Sequence, residues 1–292
     1  LKGLAKGERA MANWDEDAVT MAVEAARDCL GGRDRSGIGS VVLASTSAPY
    51  LDRQNAGIVK EALTLSDAVS TMDVGGSRKA GTGALLQSLR AVAGGAGDTL
   101  CVAAEKHRAR PGSENEMTDG DAAAAILVGA GEGIARFVGA HSLSVDFVDH
   151  FRAAGAAFDY AWESRWVREE GHIGIAGKAV REALAALGMA GSNIAHFIAP
   201  IPARGVPVAL AKAAGIPVEA VRDTLSAGIG HAGAAHPLLM LAHALETAKP
   251  GERILLLGFG QGADVLLFEA TGAIADHPRP LGVSGWAARG RA

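Results

Sequence analysis

Two turns carry the side chains best suited to chemistry. Gly75-Gly76-Ser77-Arg78 opens a small-residue helix predicted to run to Ala93, and Gly228-Ile229-Gly230-His231 opens a second, predicted over Ala232 to Ala248. His231 can serve as acid or base, or only as a helix cap. Arg78 stays protonated at neutral pH, so it can hold an anion but cannot be a nucleophile; the plainer reading pairs it with an Asp or Glu. Ser77 offers a hydroxyl, although a serine at such a turn more often accepts an N–H from the helix start. Cys29 falls on the apolar side of a helix and Cys101 inside an apolar strand, where thiols are usually buried and inert. The two are far apart with no CxxC, which disfavours a disulfide framework and a structural zinc. His107, His141, His150, His172, His196 and His277 show no ligand spacing, and His236 and His243 read as structural, so no metal site is predicted.

Gly258-Phe259-Gly260-Gln261-Gly262 imitates a dinucleotide fingerprint. A pyrophosphate loop must open a helix, whereas Ala263 to Ala270 reads as a strand, so the glycines are expected to form a tight turn between two strands. Arg204, Lys212 and Lys106 are candidate phosphate contacts, with solvated surface charge as the commoner alternative.

The elements around these residues follow from periodicity. Asn13 or Asp15 is expected to cap a helix whose apolar face is Val19, Ala22, Val23, Ala26 and Leu30. Next come a strand at Ile38 to Ser45, a helix at Ala56 to Leu65, a strand ending at Val74, the Arg78 helix, and strands at Thr99 to Ala104 and Ala122 to Val128. From Gly171 the order recurs: a helix to Leu187, a strand Ile194 to Ala199, a helix from Val206, and a strand or loop near Leu225 to Ile229. The Ala232 helix follows, then strands Arg253 to Gly258 and Ala263 to Ala270. Setting Arg78 over His231 sets Leu85-Leu86 over Leu238-Leu239, so the halves read as one duplicated unit. Residues 142–170, rich in Phe, Trp and charge, read as a cap or dimer-contact excursion.

Composition narrows the class further. The chain has 292 residues, 49% of them hydrophobic and 21% charged, with a formal charge of −4, which argues against disorder and a polybasic nucleic-acid surface. Its 39 glycines and 4% aromatics suit close-packed α/β layers better than a barrel filled by aromatics. The chain lacks an apolar run of 18 residues and the start, Leu1 to Arg9, is polar, so a cytoplasmic, non-membrane protein is expected. Because the first element is a helix, an amino-terminal strand is expected upstream of Leu1.

Several stretches carry a family resemblance across nearly the whole chain. They are Asp15-Glu16-Asp17 leading into Thr20 to Ala26, Lys79-Ala80-Gly81-Thr82, Arg110-Pro111-Gly112-Ser113, Glu116 to Ala124, Lys249 to Leu256 and Gly258 to Ala263. In these the sequence resembles the thiolase superfamily, most closely hydroxymethylglutaryl-CoA synthases of the archaeal and bacterial type, and then ketoacyl synthases of the third kind. The resemblance implies a duplicated five-layer α-β-α-β-α fold and an acyl-CoA substrate, with no cofactor in this chain. It implies a catalytic cysteine where Arg78 stands, an acidic residue where Thr46 stands, a histidine in the stretch Ile198-Ala199-Pro200-Ile201, and an asparagine where His231 stands. All three principal positions, cysteine, acid and histidine, are therefore changed.

The expected organisation is an amino-terminal half (1–150), a cap segment (151–170), a carboxy-terminal half (171–275) and a tail (276–292) leading out of the fold. The expected activity makes or breaks a carbon–carbon bond next to a thioester without an acyl-cysteine. Arg78, His231, Ser77 and Thr46 are the candidate catalytic residues, and Gly260, Gly262, Ile198 and Arg204 the candidate substrate contacts. In the resembled families the Gly260 turn lies beside the active site and can donate an N–H to the thioester carbonyl. The alternative is a non-catalytic subunit supporting a competent thiolase. A homodimer or a heterodimer with another thiolase-fold chain is expected, and an OB-fold, zinc-ribbon protein is a candidate partner, with Pro278-Arg279-Pro280 through Trp286 leading toward it.

Overall fold

The computed structural model describes residues 6–277 and 280–290. Leu1–Ala5, within the polar start, and Pro278 and Arg279, within the lead toward a partner module, lie outside them.

Helix α1 (Ala18–Leu30) buries Val19, Ala22, Val23, Ala26 and Leu30 as its periodicity requires. Its cap is Asp17 rather than Asn13 or Asp15. The Asp17 carboxylate accepts the N–H groups of Val19 and Thr20, and the Thr20 hydroxyl accepts the Asp17 N–H, which closes a reciprocal box. Strand β1 (Ile38–Ala44), α2 (Asn55–Ala62), β2 (Ser70–Val74), α3 (Ala80–Ala93), β3 (Asp98–Glu105), α4 (Glu114–Thr118) and β4 (Ala122–Val128) follow. Thr64, at φ 54°, turns the chain after α2, which ends three residues before the expected Leu65. The strands form a sheet in the order β2-β1-β3-β4 with only β4 antiparallel.

Strand β5 (Ala135–Ser144) has no counterpart among the sequence expectations and belongs to the second sheet, so that sheet draws on residues before the expected boundary at 150. Its alternation of exposed and half-buried residues weakens the apolar signal. A small hairpin of β6 (His150–Phe151) and β7 (Tyr160–Ala161) then leads through α5 (Ser164–Trp166) and a π-helical stretch (Val167–Ala176) into α6 (Gly177–Ala186). Strand β8 (His196–Ile198), α7 (Val206–Ala213), α8 (Ser226–Ile229), α9 (His236–Leu245), β9 (Arg253–Phe259), β10 (Gly262–Ala270) and α10 (Gly282–Arg289) complete the chain. Residues 226–229 are thus a helical turn and not a strand. The second sheet runs β5-β10-β9-β8.

The duplication is visible in these orders. Strands β4, β3 and β1 correspond to β10, β9 and β8, and β5 covers the outer edge of β10. Among the described residues, no strand pairs with the matching edge of β4. Helices α1 and α2 cover one outer face, α6 and α7 the other, and α3 and α9 are buried between the sheets, giving the thiolase-like five-layer α-β-α-β-α arrangement. Small residues make the central layer feasible: a Cβ on Gly81 would lie 2.2 Å from the Ala234 carbonyl oxygen, so only glycine lets the two helix starts approach.

The tail folds back instead of leading away. The Asp28 carboxylate accepts the N–H groups of Leu281 and Gly282, and Glu246 accepts that of Val283, which fixes the start of α10 against α1 and α9. Among the described residues, no helix is long and apolar enough to cross a membrane.

Candidate active site

The α3 start is tied to the β9–β10 turn. The Ser77 hydroxyl donates to the Gly260 carbonyl at 2.7 Å and accepts the Lys79 N–H at 3.3 Å, so it ties the residue before α3 to the turn of the other half. Gly260, at φ 155°, sits so close that a Cβ would lie 2.7 Å from Ser77 Oγ and 2.9 Å from Lys79 N. Gly260, Gln261 and Gly262 all have positive φ, and β9 and β10 pair antiparallel across them, which is the expected tight turn. Beneath it, the buried Asp264 pairs with Lys79 Nζ at 3.3 Å and accepts the Thr82 hydroxyl at 3.1 Å.

Arg78 is half-buried and, among the described residues, forms no ion pair. Its charge is felt by Asp149, His172 and His231. Burial pushes the Asp149 carboxyl up, but the His150 hydrogen bond, the His150 charge and Arg78 together hold it below its usual value. Burial brings His172 down to about 4, and its ring meets Phe259 edge-on at 4.9 Å. Two neutral imidazoles and one carboxylate thus lie within the reach of the Arg78 charge.

Thr46, after β1, meets Glu105, the last residue of β3. Glu105 Oε2 accepts the Thr46 hydroxyl at 3.0 Å, the Thr46 N–H at 3.2 Å and the Ala234 N–H at 3.3 Å, while the buried Oε1 has no hydrogen-bond partner. Arg152 of the cap segment donates to the Thr46 carbonyl and pairs with Asp159 at 2.5 Å. The expected cap thus reaches the site through Arg152. Aromatic side chains of residues 142–170 cluster together, with Phe147 and Trp166 stacked at 4.4 Å and Trp162 6.2 Å from Trp166.

His231 lies one 3-10 turn ahead of α9, with Nε2 3.1 Å from the Pro200 carbonyl. A carbonyl can only accept, so Nε2 carries the proton and Nδ1 the lone pair, at which the Gly233 N–H points from 3.3 Å. Burial, then the nearby His236, Arg78 and His107, hold His231 well below its ordinary pKa and therefore neutral. Its ring stacks on His236 at 4.7 Å, and His236 is brought to about 4 by burial. Pro200 and His231, from the stretches where the resemblance expects a histidine and an asparagine, are neighbours in space.

Ser77, Arg78, Thr46, His231 and Gly260 thus border the junction between the two halves. Two of the expected contacts, Ile198 and Gly262, do not join them. Ile198 is fully buried in the core, so its side chain cannot touch a substrate. Gly262 faces β5, where a Cβ would lie 2.0 Å from the Leu143 carbonyl oxygen, and its role is sheet packing. Arg204 is exposed in the loop that joins Pro200 to α7. Burial drives the Cys29 thiol to about 11 and the Cys101 thiol to about 12, so neither supplies a thiolate at neutral pH. A large cavity of about 1660 Å³ lies elsewhere, along β4, α1, α9 and α10, and none of Arg78, Glu105 or His231 lines it. A smaller one of about 220 Å³ reaches His107 past Ser47, Lys106 and Arg108.

Comparison with known proteins settles the lineage. Over 262 residues the chain is 32% identical to hydroxymethylglutaryl-CoA synthase of Thermococcus onnurineus, covering 88% of this chain and 75% of that protein. The chain belongs to the hydroxymethylglutaryl-CoA synthase family. A second relative, hydroxymethylglutaryl-CoA synthase of Pyrobaculum neutrophilum, is 31% identical over 92% of this family member and 78% of its own length. Residues 184–266 match the carboxy-terminal model of 3-oxoacyl-[acyl-carrier-protein] synthase III. The fold matches MvaS in complex with 3-hydroxy-3-methylglutaryl coenzyme A at TM-score 0.82 and 21% identity, covering 99% and 80% of the two chains. It also matches 3-oxoacyl-[acyl-carrier-protein] synthase III of Aquifex aeolicus at TM-score 0.80 and 19% identity, covering 89% and 87%.

Glu105, Asp149 and Arg152 are not among the candidates that residue type and spacing single out, so they are findings of the tertiary structure. Glu105 alone leaves a local trace: an acid directly continuing the apolar run Thr99 to Ala104, at the carboxyl end of a sheet strand, where α/β folds open their ligand crevices.

Proposed function

We propose that this family member binds an acyl-CoA and makes or breaks a carbon–carbon bond next to the thioester without an acyl-cysteine, with Glu105 as the acid/base. One observation carries the reading: a buried carboxylate is gripped on one oxygen by Thr46 and Ala234, from opposite halves, while its other oxygen is unpartnered. In the cleaving direction, Glu105 takes the proton of a β-hydroxyl, the Cα–Cβ bond breaks to leave a carbonyl product, and the electron pair passes into the thioester enolate. The proton then returns to Cα. Arg78, cationic and free of an ion pair among the described residues, balances the enolate charge. The names of the synthase relatives and the hydroxymethylglutaryl-CoA complex of MvaS support the choice of an acyl-CoA.

The test incubates the protein with labelled acetyl-CoA and a panel of β-keto and β-hydroxy acyl-CoAs, following product and protein labelling. Turnover without labelling, lost in Glu105→Gln, supports the reading; an acyl-enzyme on this chain overturns it.

A second reading, a non-catalytic subunit, is favoured by Arg78 standing where the resemblance implies a cysteine. No turnover together with co-purification of a cysteine-bearing thiolase would decide for it. Under either reading the chain works in the cytoplasm, in a homodimer or with another thiolase-fold chain, and with an OB-fold, zinc-ribbon protein as a further partner.

A further inference from the structure

His107, Asp119 and His231 each offer one ligand atom, and those atoms all lie within 4.8 Å of one another. No spacing in the sequence announces this, because the three come from the segment after β3, the end of α4 and the turn before α9. Backbone pairing fixes two of them side by side: the His231 N–H donates to the Thr118 carbonyl at 2.8 Å, and the Gly120 N–H donates to the His231 carbonyl at 3.1 Å. Asp119 and His231 therefore lie in register as a parallel bridge. The His107 N–H is held by Asp121 Oδ1 at 2.9 Å, and Asn115 Nδ2 orients the Asp119 carboxylate at 3.0 Å.

The spacing of the donor atoms suits a cation. Nδ1 of His107 stands 3.5 Å from Asp119 Oδ2, with 8% and 5% of the two side chains exposed. That separation suits two ligands of one ion, since donors about 2.0–2.1 Å from a tetrahedral zinc lie roughly 3.3 Å apart. His107 Nε2 is buried without a partner, and His231, protonated on Nε2, keeps its Nδ1 lone pair engaged only by the long Gly233 contact. Two imidazoles and a carboxylate are a borderline donor set that leaves further coordination positions open. The cavity of about 220 Å³ that His107 lines gives a path from the surface. Lys106 and Arg108, which also line it, and Arg78, whose charge His231 feels, oppose a cation; Asp119 supplies the offsetting charge.

We propose that His107, Asp119 and His231 bind one divalent transition-metal ion of the zinc class. The site stands whether or not the chain turns over an acyl-CoA. The test uses the untagged chain, stripped with chelator, titrated with Zn²⁺ by calorimetry and with Co²⁺ by visible absorption. One equivalent should bind, with Co²⁺ bands of a nitrogen/oxygen site and no thiolate charge transfer. Asp119→Asn and His107→Gln should each weaken it by about 10- to 100-fold or more, while His141→Gln, at the surface pair with Glu182, should leave it unchanged. Circular dichroism checks that each variant folds. Should one variant unfold, the other and the wild-type Co²⁺ spectrum still decide. Failure of the wild type to bind either ion, or equal binding by His107→Gln and the wild type, overturns the site.

Discussion

Glu105 Oε2 accepts the Thr46 hydroxyl at 3.0 Å, so a carboxylate reaches the position beside β1 from the neighbouring strand β3. The resemblance implies an acid where Thr46 stands, and it is the carboxylate of Glu105 that meets Thr46 there.

If Glu105 is the acid/base, Glu105→Gln should lower turnover by about 10²- to 10⁴-fold with little change in KM. Thr46→Val should remove one hydrogen bond to a charged group and cost about 1.5–3 kcal/mol of stability. Steady-state kinetics and urea unfolding read the two effects separately.

Both thiols should resist alkylation in the folded protein, because their pKa values of about 11 and about 12 leave almost no thiolate at pH 8. Iodoacetamide followed by intact mass should find no adduct under native conditions and two in urea. Rapid native labelling of either cysteine would contradict the burial that excludes them as nucleophiles.

Stability should fall as pH drops from about 6.5 to about 4. The unfolded chain protonates its histidines near 6.5, whereas His172 and His236, held at about 4, stay neutral when folded. Above 6.5 both states are neutral and the full stability is present; through the window the unfolded state binds more protons and gains. Each group contributes roughly 3 kcal/mol over that range. Thermal unfolding against pH should show the decline, and His172→Phe should flatten it.

Gly81→Ala should be severe for so small a change. The new methyl would meet the Ala234 carbonyl oxygen at 2.2 Å and Leu238 Cδ1 at 3.3 Å. Overpacking of this kind costs about 1–3 kcal/mol or more, so urea unfolding should show a clear loss, against a near-neutral Gly32→Ala in open space.

Much of the fold is legible in the sequence because burial imposes a period on it. The apolar faces of α1, α3 and α9, the strands β1, β3, β4, β9 and β10, and the repeated order of the halves all follow from residue types at fixed spacing. The Gly260 turn is legible too, since a strand follows it. Strand β5 escapes such reading because its exposed and half-buried positions carry little apolar signal, and α10 because its anchors, Asp28 and Glu246, are distant in sequence.

At the site, residue identities say that α3 opens on Ser77-Arg78-Lys79 with no cysteine and that position 46 is a threonine. What meets these residues depends on how the chain packs. Glu105 reaches Thr46 across 59 residues and Ala234 across 129, and His107, after β3, meets Asp119 at the end of α4 and His231 in the turn before α9. Such meetings have no period in the chain, because sheet order, not spacing, brings β1, β3 and the α9 start together.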